Sequence, residues 1–224
     1  HILINTGLAA SKETIKASIE KLGFKYSDIK ILLTTQAHYD HLGAMAAIQK
    51  ETGAMFMVNR PDSSVVADGG FSDYALGGKS TFVPIPVSNY LKNDDTILLG
   101  NTVLTMLHHP GHTKGSCSCL FTTSKDEKRK SYRVLIANMP TIVTEQKLTE
   151  VESYPGIACD LAYTLTAMKK LRFDLWVASH ASQFDLHKKH KPGALYNPAA
   201  FADRKGYDEY LKELQQDYNK RMAQ

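Results

Sequence analysis

Three apolar runs in this chain stop abruptly at residues able to bind a metal, and that pattern constrains the fold more than any other. "IKILLTT", residues 29–35, leads straight into Gln36, His38, Asp40 and His41. "TVLTMLHH", 102–109, runs into a turn at Pro110 and Gly111 and then His112. "DLWVAS", 174–179, ends at His180. Runs this short and apolar read as strands, the first of them buried on both faces. In layered α/β folds the side chains that carry chemistry gather at such strand-to-loop junctions. One histidine at a strand end is usually a capped or solvated residue. HxDH, then PGHTxGS, then a late strand-terminal histidine form an ordered pattern that points to a metal site.

Helix signals alternate with the strands. "HILIN" reads as a strand, followed by a helix capped at Ser11, with Ile15, Ile19 and Leu22 on one face and Gly23 as its stop. A helix is expected from His41 to Glu51, then the strand "MFMV" and a short helix from Asp62. Residues 69–80, "GGFSDYALGGKS", read equally as a surface loop or as a flap over a pocket. The strands "TILLG", "SCSCLFTT" and "YRVLIAN" fill the middle, with "SKDEKRK" as a solvated hairpin tip. Helices over Asp160–Leu171 and Asp203–Met222 complete the pattern. With no repeat and no linker, residues 1–224 are expected to form one mixed α/β domain, its helices covering two face-to-face sheets.

Composition excludes other classes. Lysine and arginine number 27 against 23 acidic residues, a net charge of +4 that is too mild for a nucleic-acid binder. No apolar run approaches the roughly 20 residues of a membrane span. Cys117 and Cys119 point the same way along one strand and cannot easily pair. Cys159 could bridge to either, or all three could be free thiols. His108 and His109 are expected to pack at the turn, and His187 and His190 to lie in a solvated basic loop. The chain opens inside the strand-like "HILINTG", so an N-terminal portion with further strands and an export signal is expected ahead of it.

These motifs resemble the metallo-β-lactamase superfamily across almost the whole chain. Within it they look most like subclass B3 β-lactamases of the GOB type, on the strength of "QAHYDH", "PGHTKGS", "LIANMP" and "WVASHASQFDL". The resemblance implies an αββα four-layer sandwich. It also implies two zinc triads, Gln36–His38–His112 and Asp40–His41–His180, each leaving a coordination position for water or substrate. Gln36 stands where a histidine is usual. Its carbonyl oxygen is a neutral, weaker donor that can still coordinate; the alternative is that it only bonds a ligand. One or two zinc ions are expected, with the Asp40 triad filling first because it holds the anionic ligand.

The implied activity is hydrolysis of the β-lactam amide of penicillins, cephalosporins and carbapenems by a hydroxide held on zinc, with Asp40 orienting it. Asn138 is the choice to meet the lactam carbonyl and Thr141 the substrate carboxylate, although turn or capping roles suit both. Met139 is expected to pack. Related thioesterases place a bridging Asp at the end of the strand "YRVLIAN"; here Asn138–Met139 stands there, which weighs against a lactonase or thioesterase. A diiron redox protein on the same fold is disfavoured by the same gap and by the neutral amide at Gln36. The resemblance further implies a periplasmic enzyme; a monomer is the default expectation.

Overall fold

The computed structural model describes residues 1–126 and 128–223. Its chain divides into two compact units, His1–Lys92 with Thr113–Ser116, and Asn93–His112 with Cys117–Gln224.

The first unit is built on a four-stranded sheet in chain order: β1 (Ile2–Ile4), β2 (Ile31–Leu33), β3 (Met55–Asn59) and β4 (Asn89–Leu91), every pair parallel. Parallel neighbours require crossovers. These run through α1 (Lys12–Lys21), then α2 (Tyr39–Leu42) and α3 (Met45–Thr52), with α4 (Ser63–Ala67) after β3. Leu32 and Phe56 from the sheet pack with Leu42, Met45 and Ile48, and Ile15 and Ile19 of α1 close over them. β2 is fully buried, as its unbroken apolar sequence requires.

Local expectations differ from the structure at four places in this unit. Leu22 lies beyond α1 and is 73% exposed, so it leaves the apolar face to Ile15 and Ile19. Ser11 precedes α1 without capping it; its Oγ instead accepts the Leu8 N–H of the preceding turn. The single helix expected from His41 to Glu51 is split. Gly43 interrupts it, because the Gly7–Ala9 backbone passes so close that a Cβ there would sit 2.5 Å from Ala9 N. β4 carries too few apolar residues to be read as a strand.

The second unit holds a five-stranded sheet: β5 (Thr96–Leu99), β6 (Thr102–His108), β7 (Cys117–Thr122), β8 (Arg133–Ala137) and β9 (Leu175–Ala178). Its pairs are antiparallel except β8–β9, which is parallel and joined through α5 (Ile157–Lys169). The core packs Leu120, Leu135 and Trp176 with Leu165 and Met168 of α5. Tyr207 and Leu211 of the terminal α7 (Arg204–Ala223) complete it, and Met139 packs into the same cluster as expected. Trp176 donates its indole N–H to Asp203 O at 2.8 Å. His187 lies in a short helix, α6 (Leu186–Lys189), because the chain takes one further turn after β9. Glu127 of the expected hairpin tip lies outside the described residues. Cys117, Cys119 and Cys159 form no disulfide with one another; the first two are buried and the last is exposed.

Candidate metal centre

In the first unit the end of β2 is held in place from β1. Asn5, in a left-handed conformation that asparagine tolerates, has φ 60° and follows β1 directly. Its Oδ1 accepts the Thr35 N–H at 2.9 Å and its Nδ2 donates to Thr35 Oγ1 at 3.0 Å. Thr6 donates both its N–H (2.8 Å) and its hydroxyl (3.0 Å) to His41 O. The segment Gln36–His41 is therefore clamped at both ends by residues about thirty positions earlier.

That clamp fixes the segment that carries four of the expected donors, and three of them, Gln36, Asp40 and His41, are brought together. Gln36, His38 and His41 are buried, while Asp40 keeps a side chain 30% exposed. Gln36 Nε2 meets His41 Nε2, and Asp40 Oδ2 lies 3.5 Å from the same nitrogen. Gln36 Oε1 is sealed from water with no hydrogen-bond partner among the described residues. A buried carbonyl oxygen left without a donor costs about 1–3 kcal/mol, and a bound cation removes that cost. Amide oxygen, two imidazoles and a carboxylate form a donor set that fits zinc.

Two buried carboxylates close to these donors went unnoticed in the sequence. Asp73, in the glycine-rich loop, places Oδ2 3.3 Å from His38 Nε2. Burial would push Asp73 upward, yet the bond with His38 and the N–H groups of Leu76 and Ala75 hold it below the usual carboxylate range. Asp62 accepts the Thr113 hydroxyl at 2.7 Å and the Gly115 N–H at 2.6 Å. Complete burial nevertheless pushes it up to about 6. Asn59 Nδ2 donates to Gly115 O at 2.9 Å, so the turn after His112 is gripped from both sides. The sequence places a helix start at Asp62, and α4 does begin beside it, but the carboxylate accepts from Thr113 and Gly115 of this turn.

In the second unit His112 and Thr141 are brought together. His112 Nδ1 lies 2.8 Å from Thr141 O and 2.9 Å from Thr141 Oγ1. A proton on Nδ1 shared between two acceptors leaves the lone pair on Nε2, the arrangement that orients histidines in metal sites. Thr141 thus holds a histidine, a task beyond the substrate contact expected of it. Asn138 follows β8; its N–H donates to Ser118 Oγ at 3.0 Å, and its Nδ2 is buried with no partner among the described residues. Ser118 Oγ is also 2.8 Å from Nδ1 of buried His109, whose ring burial pushes down to about 3 and so keeps neutral. His180 directly follows the short extension of β9, with Ser179 Oγ 3.4 Å from Asn138 Oδ1. The aspartates between His112 and His180 are each engaged by other groups. Asp126 meets Tyr196, Asp160 accepts from Tyr154 at 2.6 Å, and Asp174 accepts the Arg133 N–H at 2.7 Å.

The family model described as "Metallo-beta-lactamase superfamily" matches residues 1–125, more than half of the chain. A class B3 di-zinc metallo-β-lactamase, LRA-12, from an Alaskan soil metagenome is 65% identical, with a TM-score of 0.96 over 99% of this chain and 83% of that one. The metallo-β-lactamase GOB-18 from Elizabethkingia meningoseptica is 55% identical, TM-score 0.96, over 99% and 82%. A β-lactamase from Chitinophaga pinensis is 55% identical, TM-score 0.97, over 100% and 84%. These likenesses bear out the fold expected from the motifs. Among curated proteins, an uncharacterised protein of Aquifex aeolicus is 31% identical over 149 residues, 61% of this chain; the match spans 64% of the relative's length.

Proposed function

The chain belongs to the metallo-β-lactamase superfamily, and from that premise we propose that it is a subclass B3, zinc-dependent β-lactamase acting on penicillins, cephalosporins and carbapenems. One observation carries the proposal above the rest. Gln36 Oε1 is buried with no hydrogen-bond partner among the described residues, on the short segment that also carries His38, Asp40 and His41, in a chain whose length follows class B3 structures at up to 65% identity. In this reading Gln36, His38 and His112 hold one zinc, and Asp40, His41 and His180 hold another. The second position fills first, since a carboxylate binds a dication more strongly than a neutral amide does.

When bound, zinc acidifies water from about 16 to near 7 and takes up developing negative charge as a Lewis acid. The remaining work falls to the chain. Asp40, partly open to solvent, orients the attacking water and receives its proton. The water oxygen bonds to the lactam carbonyl carbon, the C–N bond breaks, and the proton ends on the departing nitrogen. Asn138 offers its buried Nδ2–H to the carbonyl oxygen, where charge develops. The Thr141 hydroxyl, while accepting from His112, keeps its own hydrogen for the substrate carboxylate. We place the enzyme in the periplasm as a monomer, a location and state that cell fractionation and light scattering test. No helix among the described residues is long and apolar enough to cross a membrane.

The decisive assay is turnover of a chromogenic cephalosporin, abolished by a chelator and restored by zinc. Turnover of lactones or thioesters without turnover of lactams would overturn the proposal. Gln36→His tests the ranking of the sites: bound zinc should rise with similar lactam turnover. If metal titration of the parent fills the Gln36 position first, the ranking is wrong.

A further inference from the structure

We propose that Asp73 is a positioning residue for His38, turning Nε2 of the ring toward its carboxylate and leaving Nδ1 to face the metal. The inference rests on the metal-site reading above and adds to it the part played by the loop 69–80.

A neutral imidazole carries a hydrogen on one nitrogen and a lone pair on the other. His38 Nε2 is 3.3 Å from Asp73 Oδ2, and the two side chains are only 4% and 3% exposed. A carboxylate only accepts, so the nitrogen that faces it carries the hydrogen. The lone pair then belongs to Nδ1, the nitrogen left for a metal.

The loop is built to hold that carboxylate still. Asp73 Oδ1, the oxygen turned away from His38, accepts the N–H groups of Ala75 at 3.0 Å and Leu76 at 2.6 Å. Asp68 takes the Gly70 and Ser72 N–H groups at 3.1 and 3.0 Å, and Phe82 N–H closes the loop onto Gly69 O at 2.9 Å. The glycines answer to crowding. A Cβ at Gly77 would lie 2.4 Å from Asp73 O, and one at Gly69 2.3 Å from Phe82 O. A stretch that read equally as loop or flap in the sequence is anchored inward through a buried acid, which is the behaviour of a strut.

Asp73→Asn separates support of the loop from support of the ring. The asparagine Oδ1 still accepts from Ala75 and Leu76, while its NH2 group stands against His38 Nε2–H, donor against donor. Zinc binding by the whole chain is measured by titration against a competing chelator. The weaker of the two zinc steps should lose about 10- to 100-fold in affinity, with the tighter step unmoved. Both steps moving together, or neither, overturns the inference, because a general loosening spares no site. A second readout needs neither variant nor metal. In the zinc-free parent, nitrogen-15 correlation spectra of His38 should show the Nε2–H tautomer; the Nδ1–H tautomer overturns the assignment. A parent that binds no zinc would sink the metal-centre reading, while the tautomer would still decide the Asp73–His38 contact.

Discussion

Replacing Asp62 by asparagine should change how the stability of the zinc-free protein depends on pH. Asp62 is completely buried, and desolvation lifts its carboxyl from 3.8 to about 6 despite the bonds from Thr113 and Gly115. An acid raised in the folded state binds its proton more tightly folded than unfolded. Its cost to stability is therefore absent below about pH 4 and fully present above about pH 6. At about 1.4 kcal/mol per pH unit, the gap is worth about 3 kcal/mol. About half of it, roughly 1.5 kcal/mol, is traversed between pH 5 and pH 8. Asparagine removes the charge but still accepts the Gly115 N–H, and its amide hydrogen can be taken by Thr113 Oγ1. The parent should thus lose about 1.5 kcal/mol relative to Asp62→Asn as pH rises from 5 to 8, about 3–6 °C in Tm for a chain of this size. Trp176, the one tryptophan, is 1% exposed and reports unfolding by its fluorescence. Denaturant melts of both proteins with chelator present supply the difference, in which titrations common to the two cancel. A difference that stays flat across that range, or slopes the other way, refutes the reasoning.

Other outcomes follow from the same contacts. Gly115→Ala puts a Cβ 2.6 Å from Asp62 Cγ and should cost about 1–3 kcal/mol by overpacking, read as a lowered Tm; an unchanged Tm would mean that the turn moves freely. A thiol reagent should modify Cys159 quickly in the folded protein and reach Cys117 and Cys119 only after denaturation, since both are 2% exposed and burial pushes Cys119 up to about 12. Three fast thiols in the native protein would contradict the packing of β7.

How much of this was legible beforehand follows from how far each signal reaches along the chain. The run Ile29–Thr35 had to be a buried strand, because so many consecutive apolar residues need cover on both faces. The donors Gln36, His38, Asp40 and His41 are packed into six consecutive positions, and the later histidines each follow a readable strand. The order of motifs alone therefore named the family. Leu22, by contrast, has helical spacing and is still exposed, since α1 ends before it. Nothing local announces that Gly43 breaks a helix, because the cause is a backbone passing from Gly7 to Ala9. Asp73 and Asp62 look like ordinary loop and cap residues until His38, thirty-five positions earlier, and Thr113, fifty-one later, are set beside them. The proposed ligands are legible because each is a metal-binding residue type at the end of a readable strand. The residues proposed to hold them in place depend on burial and on partners distant in sequence, and only the tertiary structure creates both.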